Sequence, residues 1–279
     1  MKPISALGSN INMANTPISP IGLFDSGVGG LTILKALQQV LPSENIIYFG
    51  DTAHVPYGNK SKTAVTKYST EIVKFLENKK VKFIIVGCNT ASALALPSIK
   101  KIAKVDLLGV LMPAAKQAVK TTKNGKIAVI ATQATVNSNS YKNTISKLNK
   151  NLKVYQFACP LLVPLIEDKK LLNTLLPTML KYYLAPVKKC GADTLILGCT
   201  HYPIIKNQIA KMLGTRVKLI DSAHNTALET KNILAQKKLL NTAKTRGKIK
   251  AYTSDAPKHF ETLAKAILNQ KHIKAGLAK

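Results

Sequence analysis

Apolar runs of strand length alternate along the chain with segments whose apolar positions recur at helical spacing. The runs are Ile21–Phe24, Ile46–Phe49, Phe83–Val86, Leu107–Val110, Ile127–Ile130, Val154–Phe157, Leu195–Leu197, Val217–Ile220 and Ile249–Tyr252. The helical segments are Leu31–Val40, Thr63–Lys79, Tyr141–Asn149, Leu171–Lys188, Ile204–Leu213, Ala223–Ala235 and Phe260–Asn269. An unbroken apolar run is what a strand buried on both faces requires, and alternation with helices at this spacing predicts βαβ units and parallel sheets. Pro177 and Pro186 should break or kink the helix over 171–188, because each removes a backbone donor. Pro113 and Pro203 stand where the first turn of a helix would follow a strand.

Two of the runs end alike. Phe83–Val86 leads into Gly87-Cys88-Asn89-Thr90, and Leu195–Leu197 into Gly198-Cys199-Thr200-His201. A cysteine there sits at the carboxyl edge of a parallel strand, where open α/β sheets place their chemistry. It also faces the positive end of the following helix, which should favour thiolate and lower the pKa from about 8.5. One such cysteine reads equally well as a small core residue. Two with the same polar sequel, from different halves of the chain, predict a pair facing each other across a cleft. The expected fold is therefore α/β, with two similar lobes built on mainly parallel sheets and the active site between them. Residues 1–20 read as a flexible polar leader, 21–111 with 214–279 as the first lobe, and 112–213 as the second.

Composition narrows the setting. The chain has 279 residues, 46% of them apolar, enough for one large or two ordinary α/β domains. No apolar run reaches the roughly 18 residues of a membrane span, and the start lacks a basic-then-apolar signal layout, so the expected location is the cytoplasm. Cys88, Cys159, Cys190 and Cys199 are then expected as free thiols; they form no CxxC and no zinc-site spacing. Cys159 and Cys190 lack the strand-edge context and read as structural.

Charge is the unusual quantity: 41 Lys plus Arg against 13 Asp plus Glu, a formal net charge of +28. Such a field draws anions, from small dicarboxylates to nucleic acid. The lysines nevertheless come in ones and twos, many where helices should end, which suits the helix dipole. The reading preferred is a solvated basic surface, with nucleic-acid binding kept as a competing role.

Other polar segments follow strands. Phe24-Asp25-Ser26-Gly27-Val28-Gly29-Gly30-Leu31-Thr32 nearly matches a dinucleotide-binding GxGxxG, and Asp51 falls about where a ribose-binding acid would. Thr32 in the third glycine position and the negative charge of Asp25 before the turn argue against it. Helix capping by Asp25 or Ser26 is the plain alternative. The preferred reading has both side chains facing the cleft while the glycines let backbone approach a small ligand. Tyr57 and the Gly58 amide, in the loop Gly50–Ser61, could take a carboxylate or simply pack. Thr132 and Thr135 offer two hydroxyls at a helix start, one of which capping explains. Glu167 ends an apolar stretch in a chain poor in acids, and Asp221-Ser222 reads as an N-cap.

Taken together and in this order, FDSGVGGLT, GDTAHVPYG, GCNTAS, GV-x-x-P, the Thr-rich strand end, ACPLLVPLIE, LGCTHYP and IDSA resemble the glutamate racemases of the aspartate/glutamate racemase superfamily. The match runs from about Gly22 into the 220s. It implies interconversion of L- and D-glutamate without pyridoxal phosphate, metal or other cofactor, for peptidoglycan precursors. By resemblance Cys88 takes the α-proton of D-glutamate and Cys199 that of L-glutamate, the opposite thiol donating on the other face. Inversion at one carbon fits such a pair, since it needs a base on one side and an acid on the other. The family also makes Asp25 an auxiliary group beside Cys88 and His201 beside Cys199, with Glu167 near the second cysteine. Substrate contacts transfer to Asp25, Ser26, Tyr57, Gly58, Asn89, Thr90, Thr135, Thr200 and His201. Ala114 replaces the Gly common after the GV-x-x-P proline, and His54 stands where Arg is frequent. Aspartate or another amino acid is the competing substrate. Partner expectations are the small-molecule substrate, a homodimer, and as a competing role nucleic acid or DNA gyrase, with no membrane.

Overall fold

The computed structural model describes residues 16–268 and 273–278. In chain order, β1 (Ile21–Asp25), α1 (Leu31–Val40), β2 (Ile46–Gly50), α2 (Lys62–Asn78), β3 (Phe83–Val86), α3 (Asn89–Leu94), α4 (Leu96–Ile102) and β4 (Leu107–Gly109) begin the first lobe. The second comprises α5 (Leu111–Thr121), β5 (Lys126–Ala131), α6 (Gln133–Asn137), α7 (Ser140–Leu148), β6 (Lys153–Ala158), α8 (Leu162–Glu167), α9 (Lys169–Cys190), β7 (Thr194–Gly198), α10 (Lys206–Leu213) and β8 (Lys218–Asp221). Then α11 (Ser222–Gln236), β9 (Ile249–Thr253), α12 (Pro257–Leu268) and β10 (Ala275–Leu277) complete the first.

The strands form two sheets, ordered β10-β9-β2-β1-β3-β4 and β6-β5-β7-β8, with every pairing parallel. Neighbouring residues of one strand point to opposite faces. Leu23 thus enters a core shared by both lobes, while Phe24 enters a core of the first lobe alone. Ile127 and Val129 of the second sheet reach the same shared core as Leu23, and α11 packs against both α1 and α5. Ala128 and Ile130 turn the other way, onto a core completed by α8 and α9. Burial on both faces is why these strands read as unbroken apolar runs.

Two sequence expectations change here. The helix over 171–188 is unbroken through both prolines, within a single α9 of 22 residues. Pro177 and Pro186 lie on its exposed face, where water can take the carbonyls they leave unpaired, while Leu176, Leu180, Leu184 and Val187 anchor the other face. The boundary at 214 falls too early. β8 pairs with β7, Leu195 opposite Leu219, so the chain adds one more strand to the second sheet before it returns. Of the leader, residues 1–15 lie outside the described residues. Among the described residues, no helix is long and apolar enough to cross a membrane.

Candidate active site

Both cysteines stand where the strand runs end, one in each sheet: Cys88 two residues after β3 and Cys199 one residue after β7. They are buried free thiols, 5% and 7% exposed. Cys88 caps α3, with Ala91 N–H donating to its Sγ at 3.5 Å. Ser26 also hydrogen-bonds the Cys88 side chain.

The lobes meet around these edges through small polar groups. Thr90 Oγ1 lies 2.9 Å from Thr132 Oγ1 and 3.3 Å from Thr135 Oγ1. Thr200 Oγ1 donates to Asp25 Oδ1 at 3.3 Å, and Thr32 Oγ1 donates to the Thr200 carbonyl at 3.3 Å. Tyr141 OH donates to Asn89 Oδ1 at 2.7 Å. Glycines make this closeness possible. A Cβ on Gly29 would lie 2.3 Å from Thr200 Oγ1 and 2.6 Å from His201 Nδ1, and one on Gly58 would lie 2.8 Å from Thr132 Cβ. The glycine-rich turn therefore admits the other lobe's polar edge, as close backbone approach requires.

The electrostatics of the two edges differ. Burial pushes the Cys88 thiol up to about 12, and the Asp25 carboxylate adds to the shift against the smaller opposing pull of the Ala91 amide and Ser26. The lowered pKa expected from the helix start is overturned at Cys88. A thiolate there gains one backbone N–H from a helix of only six residues and loses its hydration. Asp25 is fully buried, and burial raises its own pKa against His201, the Gly27 and Gly30 amides and Thr200. At the other edge His201 Nδ1 is 3.8 Å from Cys199 Sγ, and its Nε2 is 2.8 Å from Glu167 Oε1. Burial disfavours the imidazolium, but the hydrogen bonds to Cys199 and Glu167 and the charge interactions with them outweigh it and lift His201 to about 10.

Asp25, Ser26, Asn89, Thr90, Thr135, Thr200, His201 and Glu167 thus all join the contacts around the two thiols. Helix capping by Asp25 or Ser26 does not occur: the N-cap of α1 is Gly30, without a side-chain bond. Instead Asp25 Oδ2 accepts from Gly27 N–H at 3.0 Å. Gly58 meets Thr132, as above. Tyr57 is buried, and its hydroxyl donates to Asp51 Oδ2 at 2.5 Å. The Asp51 carboxylate is thus engaged by protein groups rather than standing free where a ribose-binding acid would. It also accepts from Ser254 Oγ at 2.7 Å and lies 2.9 Å from His54 Nδ1, whose ring stacks on Tyr68. Asp221 sits at the N-cap of α11 but makes no side-chain cap, pairing with Lys206 Nζ at 2.6 Å.

Sequence reasoning missed two participants, Tyr141 and Tyr48, and the cross-lobe contacts of two residues it named, Thr132 and Thr32. Thr132 carries the capping bond to Thr135 N and also meets Thr90 across the cleft. Tyr141 looked only like the start of a helix. Tyr48 looked like part of an apolar strand, yet its hydroxyl donates to the Gly27 carbonyl at 2.7 Å and braces the glycine turn. Thr32, which reads in the sequence only as a mismatch to the glycine pattern, donates across the lobes to the Thr200 carbonyl.

Residues 31–230 match the family described as Asp/Glu/Hydantoin racemase. Among curated proteins, glutamate racemase from Geobacter metallireducens is 42% identical over 255 residues, 91% of this chain and 94% of its own. That from Neisseria meningitidis serogroup A is 46% identical over 252 residues, 90% and 93% of the two chains. Among solved structures, glutamate racemase isoform RacE1 from Bacillus anthracis superposes with a TM-score of 0.90 at 38% identity, covering 94% of this chain and 97% of that one. Glutamate racemase from Francisella tularensis in complex with D-glutamate gives 0.88 at 39% identity, covering 94% and 98%. Given this extent and level of identity, the chain belongs to the Asp/Glu/Hydantoin racemase family and, within it, to the glutamate racemases.

Proposed function

We propose that this protein interconverts L- and D-glutamate in the cytoplasm by proton transfer at Cα between Cys88 and Cys199, supplying D-glutamate for peptidoglycan. The observation that carries the mechanism is the pair of strand-end thiols, one from each sheet, surrounded by hydroxyl and amide groups contributed by both lobes. The Cys88 thiolate takes the α-proton of D-glutamate as the C–H electron pair passes into the carbanion. The Cys199 thiol then donates its proton to the opposite face and is left as thiolate. L-glutamate runs the same steps in reverse, so one thiol is charged and one neutral at each start.

The surroundings support this division. His201, held by Glu167, lies 3.8 Å from Cys199 Sγ, while burial and Asp25 push the Cys88 thiol up. The α-ammonium of D-glutamate brings the positive charge that a Cys88 thiolate otherwise lacks. Thr90, Thr135, Thr200 and Ser26 supply hydroxyls for the substrate carboxylates, and Asn89 supplies an amide. Tyr57, a further substrate contact in this reading, has its hydroxyl held by Asp51.

The test is circular-dichroism polarimetry of the purified protein on D-glutamate, with EDTA and no added cofactor, beside Cys88→Ala and with D-aspartate as the competing substrate. Loss of optical signal on glutamate, abolished in the variant, is the expected result. Full turnover by Cys88→Ala would overturn the two-thiol mechanism, and faster racemisation of aspartate would overturn the substrate.

A further inference from the structure

One contact between the lobes leaves a buried donor unanswered. Tyr141, in the first turn of α7, is fully buried and donates its hydroxyl to Asn89 Oδ1 at 2.7 Å. Asn89, the first residue of α3, is 2% exposed, and its Nδ2 has no hydrogen-bond partner in the protein. Buried amide nitrogens are seldom left this way, because the lost hydration goes uncompensated. A phenol has a single proton to give, and here Asn89 Oδ1 receives it. That leaves only the NH2 half of the carboxamide for a ligand. Asn89 directly follows Cys88 and precedes Thr90, whose hydroxyl already faces Thr132 and Thr135.

The same tyrosine reaches the other edge. A Cβ on Gly198, the residue before Cys199, would lie 3.1 Å from Tyr141 Cε2. One side chain thus bonds the residue after the first cysteine and packs beside the residue before the second. Burial also pushes the Tyr141 phenol upward, so it stays a neutral donor at any working pH.

We propose that Tyr141 is a positioning residue that orients the Asn89 carboxamide, leaving its NH2 free for a carboxylate oxygen of the substrate and coupling that orientation to the approach of the two lobes. The inference rests on the reading of Asn89 as a substrate contact. Donor and acceptor come from different lobes, so the amide is held only when they are together. Without the hydroxyl, the carboxamide is free to turn its oxygen toward the substrate anion, exchanging attraction for repulsion.

The experiment is steady-state racemisation of D- and L-glutamate, followed by circular dichroism, for Tyr141→Phe, Asn89→Ala and the double variant, with melting temperatures measured alongside. Tyr141→Phe should raise KM about 5- to 20-fold with kcat within about threefold of wild type. Asn89→Ala should raise KM further, and the double variant should match it, because Tyr141 acts through Asn89. Asn89→Asp, which keeps an acceptor for Tyr141 but removes the donor, should raise KM at least as much as Asn89→Ala. An unchanged KM in both Asn89 variants would overturn the contact itself. Impaired Asn89 variants beside a Tyr141→Phe of wild-type KM would overturn the positioning role alone. So would independent, multiplying effects in the double variant, or a fall in kcat at constant KM. A purely packing role would lower the melting temperature and leave KM unmoved.

Discussion

The Cys88 and Cys199 edges share a backbone plan and differ in charge. Each is a parallel strand ending in Gly-Cys and small polar residues, but Cys88 has the buried Asp25 carboxylate for a neighbour and Cys199 has His201. A carboxylate disfavours a nearby thiolate and an imidazolium favours it. The two like acids are thereby given unlike electrostatic surroundings. The comparison also shows how little the helix start contributes when it is short and the sulfur is buried. At Cys88 the lost hydration exceeds anything one amide returns.

Removing either thiol breaks the comparison outright. Cys88→Ala and Cys199→Ala should each lower kcat by about a thousandfold or more, since a positioned acid or base contributes about 10²–10⁴. Polarimetry from both enantiomers checks it. Next in size is Gly29→Ala. The added methyl would overlap Thr200 Oγ1 and His201 Nδ1, so the Cys199 edge must move. A misplacement of about 1 Å can cost about a hundredfold, and kcat should fall by that order while the melting temperature changes little.

Asp25→Asn sharpens the comparison at the first edge. Losing the carboxylate removes a cause that raises the Cys88 thiol, so its pKa should fall below about 12. Thiolate absorbance against pH in a Cys199→Ala background reads this directly, and a Cys88 curve that does not move would contradict the account. Glu167→Gln acts at the second edge and is the smallest effect. His201 is raised to about 10 partly by Glu167, so the variant should lose the His201 proton at lower pH and its alkaline limb of activity should move down. The linked stability has the same sign. A folded-state pKa above the ordinary 6.5 contributes fully below about pH 6.5 and is lost as pH rises through about 10. Denaturant midpoints at pH 6 and 10 should therefore converge in the variant relative to wild type.

The alternating pattern carried most of the architecture. All nine strand runs form strands: burial on both faces keeps β1 to β5 and β7 largely apolar, while Gln156, Lys218 and Lys250 interrupt the runs of the partly exposed β6, β8 and β9. Short β10, Ala275–Leu277, has no such run and was not read. The unbroken α9 was misjudged because the rule for proline is local. What saved the helix is which way each ring faces, and only packing shows that.

Much of the candidate site was legible as well, since strand-end cysteines and the polar residues after them are contiguous motifs. By itself the sequence determined that two Gly-Cys edges exist, that they end buried parallel strands, and that hydroxyls and amides follow each. The resemblance implied Asp25 beside Cys88 and Glu167 near Cys199; only the tertiary structure decided the Glu167–His201 bond, Thr132 opposite Thr90, Tyr141 against Asn89, and β8 in the second sheet. Hydrophobic burial is written along the chain residue by residue. Charge environment and cross-lobe hydrogen bonds depend on distances between residues as far apart as Asp25 and Thr200, and these exist only once the two sheets have closed on a common core.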